Sequence, residues 1–187
     1  MEYKLVYSSR KTVGLNIGKS GELIVRAPLG CPKKTIEGFI REQRGWIEKQ
    51  RARLEKEREE ADAAGELSPE EIKRMAEELR AVLNEKLPYY ASLLGVSYGN
   101  VTIRCQKSKW GSCTSKGNLN FNCLLMLAPE EVLDYVIVHE LCHRRHMDHS
   151  PRFWALVESV MPDHASRRKW LKDNGGVLLR RAGKRAG

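Results

Sequence analysis

Apolar positions recur along this chain with two different periods, and the switch between them marks its organisation. Residues 2–7 (EYKLVY), 12–17 (TVGLNI) and 22–27 (ELIVRA) are short segments rich in β-formers, separated by the turn-prone runs SSRK and GKSG. They predict a three-stranded β-meander. Beyond Pro28-Leu29-Gly30 the period lengthens. Pro32 suits the first turn of a helix, and Ile36, Phe39, Ile40, Ile47 and Leu54 fall on one face at steps of three, four and seven. The spacing predicts a helix reaching about residue 62, whose later half, RARLEKEREEADAA, alternates charge signs as a solvated connector does.

Gly65 interrupts this pattern, and Ser68-Pro69-Glu70-Glu71 supplies an N-cap, a proline at the first helical position and the glutamate of a capping box. The second helix carries an apolar stripe through Ile72, Met75, Ala76, Leu79, Val82, Leu83 and Leu87. A strand is predicted from Val101 to Lys107, then a sharp loop at Trp110-Gly111-Ser112-Cys113. Residues 118–125 alternate again, with Leu119, Phe121, Cys123 and Leu125 on one face and Asn118, Asn120 and Asn122 on a polar one. On that polar face Asn122 can approach the cleft, although a surface position is the commoner case and the one expected. Pro129-Glu130-Glu131 opens a further helix, with acids where the helix dipole favours them.

Composition narrows the class. With 41% apolar and 30% charged residues, the 187-residue chain is long enough to bury a core and too polar for a membrane protein. Its longest apolar run, Cys123–Ala128, is far too short to span a bilayer. The N-terminal residues lack the apolar centre of a signal peptide, and five cysteines without a C-x-x-C suit reduced thiols, so a cytoplasmic location is expected. The net charge of +9 is concentrated at the end: residues 161–187 hold eight basic and two acidic side chains, a balance of +6.

The chemistry concentrates in His139-Glu140-Leu141-Cys142-His143 and the following Arg144-Arg145-His146-Met147-Asp148-His149-Ser150-Pro151. At about 100° per residue, His143 lies about 40° around the helix from His139 and one turn along it, so both rings can converge on one ion. Glu140 sits on the flank, where a carboxylate reaches water without displacing the ligands. That division of labour is what metal-assisted hydrolysis requires. For a third ligand, His146 lies about 10 Å along a continued helix from His139, too far for metal–nitrogen bonds of about 2 Å. Pro151 disfavours helix at Ser150 and itself opens a new one, so a chain turning between about 145 and 149 swings His149 back to the first two. Asp148 can orient an imidazole or form the turn. Phe153 and Trp154 are expected to wedge the new helix against the active one, Tyr135, one turn before His139, to belong to the core in preference to acting as a hydroxyl donor, and Cys142 to be a small buried side chain.

Three elements together resemble the YgjP-like metallopeptidase family: Trp110-Gly111-Ser112-Cys113 with the Asn-rich strand reaching Asn122, the run Tyr135 to His143, and Asp148-His149-Ser150-Pro151-Arg152-Phe153-Trp154. The resemblance covers most of the chain and is strongest from about 104 to 171, ending at Trp170-Leu171. It implies a zincin-like metal-dependent hydrolase related to SprT-like proteases, with His139, His143 and His149 as ligands of one Zn2+ ion and Glu140 as acid and base. The expected architecture is α+β: residues 1–62 form the β-meander and charged helix, residues 68–179 a zincin-like hydrolase domain with the H-E-x-x-H helix packed on a small sheet, and residues 180–187 a basic tail. The expected substrate is a peptide or protein. Two rivals compete with this reading. One is hydrolysis of a nucleotide phosphoanhydride, with Arg104, Lys107, Lys109, Arg144 or Arg145 holding phosphates. The other is a noncatalytic nucleic-acid-binding protein with a structural metal.

Overall fold

Residues 2–18 and 20–183 are described by the structure, a computed structural model, and they build an α+β protein of two compact units, residues 1–60 and 61–187. The first unit opens with strands β1 (Lys4–Ser8), β2 (Gly14–Ile17) and β3 (Leu23–Pro28). The expected meander is not formed. The order is β1-β3-β2, with β1 parallel and β2 antiparallel to β3. Leu23, Val25 and Ala27 of β3 are buried, whereas β1 and β2 have no buried residue, so β3 takes the centre and the weaker strands the edges. Alternation identifies a strand's buried face and carries nothing about lateral order.

Helices α1 (Lys33–Glu42) and α2 (Arg44–Ala64) replace the single predicted helix. The interruption falls at Gln43 (φ −92°, ψ 13°), beside Gly45, whose helix propensity is about 1 kcal/mol below that of alanine. Across the break Ile36, Ile40 and Ile47 keep their common buried side, under the β3 side chains. The exposed pairs Arg44–Glu48 and Lys56–Glu60 lie along the solvated part of α2.

In the second unit α3 (Pro69–Leu94) starts where the capping box predicts: Glu71 N donates to Ser68 Oγ at 3.2 Å, and Ser68 N to Glu71 Oε2 at 2.8 Å. Its stripe of Met75, Leu79, Leu83 and Leu87 is buried. A second sheet of β4 (Val101–Arg104), β5 (Gly111–Cys113) and β6 (Leu119–Asn122) repeats the topology of the first. The central strand β6 is parallel to β4 and antiparallel to β5.

Three predicted boundaries move here, the first being that of the strand expected from Val101 to Lys107, which ends at Arg104. The segment expected as a sharp loop is the edge strand β5, because Gly111 and Cys113 pair with Phe121 and Leu119 although their own side chains show no apolar alternation. The strand expected to reach residue 125 ends at Asn122, whose side chain accepts from Leu124 N at 3.2 Å and turns the chain into a short 3-10 helix, Cys123–Leu127.

Helix α4 (Glu130–Cys142) is buried on most sides, among α3, β5, the 3-10 helix, α5 (Pro151–Val160) and α6 (His164–Arg180). Its apolar length, including Val132, Val136, Ile137 and Leu141, holds it as the axis of the main core. The basic tail expected at 180–187 begins inside α6, and its last four residues lie outside the described ones.

Candidate metal centre

Four residues close one helical turn, so His139 and His143 emerge on one side of α4 with ring centroids 4.9 Å apart. The helix then stops sooner than the sequence suggests. His143 is its C-cap (φ −64°, ψ −13°), and Arg145 N and His146 N both donate to Cys142 O, at 3.0 and 3.1 Å, closing a tight reversal. Ser150, the residue before α5, is extended, as the following Pro151 demands. Between these two constraints the chain doubles back. His149 Nε2 comes to 3.1 Å from His139 Nε2, and its ring centroid lies 4.8 Å from that of His143. One nitrogen from each of the three rings falls within 4.8 Å of the others.

The structure thus brings together all three histidines singled out by sequence and leaves His146 out of the group. His146 contributes its carbonyl, which accepts from His143 Nδ1 at 2.9 Å. That bond places the proton on Nδ1 and leaves Nε2 as the unprotonated nitrogen. Tyr135, buried in the core, also sets its hydroxyl 3.4 Å from His139 Nδ1. Asp148 accepts from Ser150 N at 3.4 Å and so belongs to the turn.

The donor set fits a divalent ion. Burial lowers the His139 pKa to about 3, with the neighbouring His143 and His149 rings and Arg168 acting in the same direction, so the ring is neutral and able to ligate. Burial lowers His143 as well, opposed by its bond to the His146 carbonyl. Among the described residues, no further His, Cys, Asp or Glu joins the group.

Phe153, fully buried, forms the floor. Its ring lies 4.6 Å from His143 and 4.9 Å from both His139 and His149. Trp154 stacks at 5.8 Å on the exposed His149 and at 5.6 Å on His164, with the Arg168 guanidinium 4.6 Å over its ring. Both aromatics were legible as a wedge between helices. Their contact with the imidazoles was not, nor was the part of His164 and Arg168, which belong to no motif.

Glu140 is only 5% exposed, and burial pushes its pKa up to about 8, with the Lys109 ammonium opposing. The backbone of β5 runs directly against it. A Cβ on Gly111 would lie 2.6 Å from Glu140 Oε1 and 2.7 Å from its Cγ, closer than such contacts occur, so glycine lets strand and carboxylate meet.

Asn122 corrects the sequence reading, since it is fully buried and not at the surface. Its Nδ2 donates to Gln106 O and Lys109 O, each at 2.8 Å, and its Oδ1 accepts from Gln106 N at 3.3 Å besides Leu124 N. Among the basic residues considered for phosphate, Arg144 donates to Ser97 O at 2.8 Å and Arg145 to Gly95 O at 3.1 Å, so both serve to hold loop carbonyls.

A family model described as "YgjP-like, metallopeptidase domain" matches residues 11–74 and 70–174. No curated protein matches the chain. Among solved structures, the chain is similar to the metallopeptidase zymogen abylysin of Pyrococcus abyssi, at 26% identity over 48% of this chain and 93% of that one, with a TM-score of 0.44. It is also similar to the metallopeptidase zymogen jannalysin of Methanocaldococcus jannaschii, at 22% identity over 48% and 91%, with a TM-score of 0.42.

Proposed function

Because the chain belongs to the YgjP-like metallopeptidase family, we propose that it is a zinc-dependent peptidase in which His139, His143 and His149 hold the ion and Glu140 moves the proton. The observation that carries this reading is the convergence of three imidazoles, with the buried Glu140 next to His139 in α4. Three nitrogen donors without a thiolate suit Zn2+ in a catalytic arrangement, where one coordination position is left to solvent or substrate. When bound, the ion acidifies water and polarises the scissile carbonyl.

With an ion held by the three histidines, Glu140 would take a proton from water and deliver it to the departing amine. Burial favours the protonated form of Glu140 and the Lys109 ammonium favours the carboxylate. The peptide is aligned by β5, which pairs with β6 on one side only. An extended substrate can add to the other edge by main-chain hydrogen bonds, and Gly111 lets that strand lie close against Glu140.

The test compares wild type with Glu140→Gln for metal content and for cleavage of an internally quenched peptide library. Retained zinc with turnover reduced at least about 100-fold is expected. Unchanged turnover removes Glu140 from the mechanism, and turnover of nucleoside triphosphates in preference to peptides overturns the substrate class.

A further inference from the structure

The connection from β4 to β5 cannot run straight, because β6 lies between the two strands. Residues 105–110 must therefore cross the end of the central strand. A crossover of this kind carries backbone groups into partly buried positions where no strand is available to pair with them. Asn122, the last residue of β6, meets that need. Within one fully buried side chain it donates to Gln106 O and Lys109 O and accepts from Gln106 N, while its own amide donates to Trp110 O at 2.8 Å. The crossover is thus tied at residues 106, 109 and 110, immediately before Gly111.

Resting on the peptidase reading above, we infer that Asn122 is a positioning residue for the reaction, setting the height of the β5 edge relative to Glu140. The clearance there is small, since the backbone of Gly111 meets the Glu140 carboxylate with no room for a single added carbon. A shift of the edge of about 1 Å displaces a docked carbonyl from the attacking water, and misplacement on that scale reduces rates by about 100-fold. Among the described residues the hydrogen bonds of Asn122 go to backbone groups and not to the histidines or Glu140, so its loss is expected to act on alignment and to leave the metal in place. The same ties fix where the Lys109 backbone lies, and hence from where its side chain can approach the carboxylate.

The experiment measures zinc content, kcat and KM on the quenched peptide library for Asn122→Ala and Asn122→Asp, well below their unfolding temperatures. The Asp variant keeps the size and one accepting oxygen, loses the two donated bonds, and sets a carboxyl oxygen against the Gln106 and Lys109 carbonyls, whereas the Ala variant removes the bonds without adding a charge. The expected result is full zinc content, kcat reduced about 10- to 100-fold and KM within about threefold of wild type. A folded, zinc-loaded variant with kcat within twofold of wild type overturns the inference, because a purely structural asparagine lowers the unfolding temperature and leaves kcat unchanged.

If neither variant folds, Asn122→Ser, which keeps one hydroxyl able to donate and accept, is measured in the same way: kcat lowered with zinc retained is expected, and kcat within twofold of wild type overturns the inference. Glu140→Gln, measured alongside, separates the two readings. If it retains turnover the proton-transfer scheme fails, whereas active Asn122 variants beside an inactive Glu140→Gln count against the positioning role alone.

Discussion

Individual side chains set the dimensions of the centre. Gly111→Ala forces a Cβ to 2.6 Å from the Glu140 carboxylate, so either strand or carboxylate must move. Turnover is expected to fall about 10- to 100-fold with zinc retained, checked by kinetics alongside metal analysis. Phe153 touches all three imidazoles, and Phe153→Ala is expected to destabilise the fold by about 3–5 kcal/mol, read from urea unfolding. At this scale the histidines and Glu140 were legible, because helical spacing alone places two rings on one side. Gly111 and Asn122 were not. A glycine in a turn-like tetrapeptide and an asparagine on a polar strand face look ordinary until the neighbouring strands are in place.

Secondary-structure elements depend on local chemistry at their ends and on a few ties between them. The α3 cap was readable from Ser68 and Glu71, and Ser68→Ala is expected to lower stability by about 1 kcal/mol, since it removes one member of a reciprocal pair. Between α3 and α4, Lys86 Nζ reaches Asp134 Oδ1 at 2.7 Å and also bonds Glu130. Burial lowers the Lys86 pKa, but the hydrogen bonds to Asp134 and Glu130 outweigh it, and the net shift is upward from 10.5. The Glu130 pKa is lowered from 4.5 by its bond to Lys86. Lys86 therefore stabilises fully below pH 10.5 and loses this contribution as pH rises through its raised value. Glu130 contributes above pH 4.5 and loses its part as pH falls through its lowered value. Lys86→Met is expected to lower stability by about 1 kcal/mol at pH 7, with the difference shrinking at both extremes, as thermal unfolding across pH can check. The pair joins residues far apart in the chain, and no spacing rule foretells it.

For the molecule as a whole, the proposed ion couples binding to folding. An ion held at about 100 times its dissociation constant adds about 2.7 kcal/mol to stability. Chelation is expected to lower the unfolding temperature by roughly 5–10 °C in wild type and to have no effect in His149→Ala, which lacks one of the three donors. Among the described residues no helix is long and apolar enough to cross a membrane. By itself the sequence determined where α3, α4 and α5 begin, and that His139 and His143 share one side of a helix followed by a turn able to return His149 to them, because these follow from interactions within a few residues. Only the tertiary structure decided the order of both sheets, the conversion of residues 111–113 into an edge strand, and the burial of Asn122 beneath the crossover. Lateral strand order and the satisfaction of buried backbone groups are set between segments distant in sequence, and local periodicity carries no record of which neighbour a strand will find.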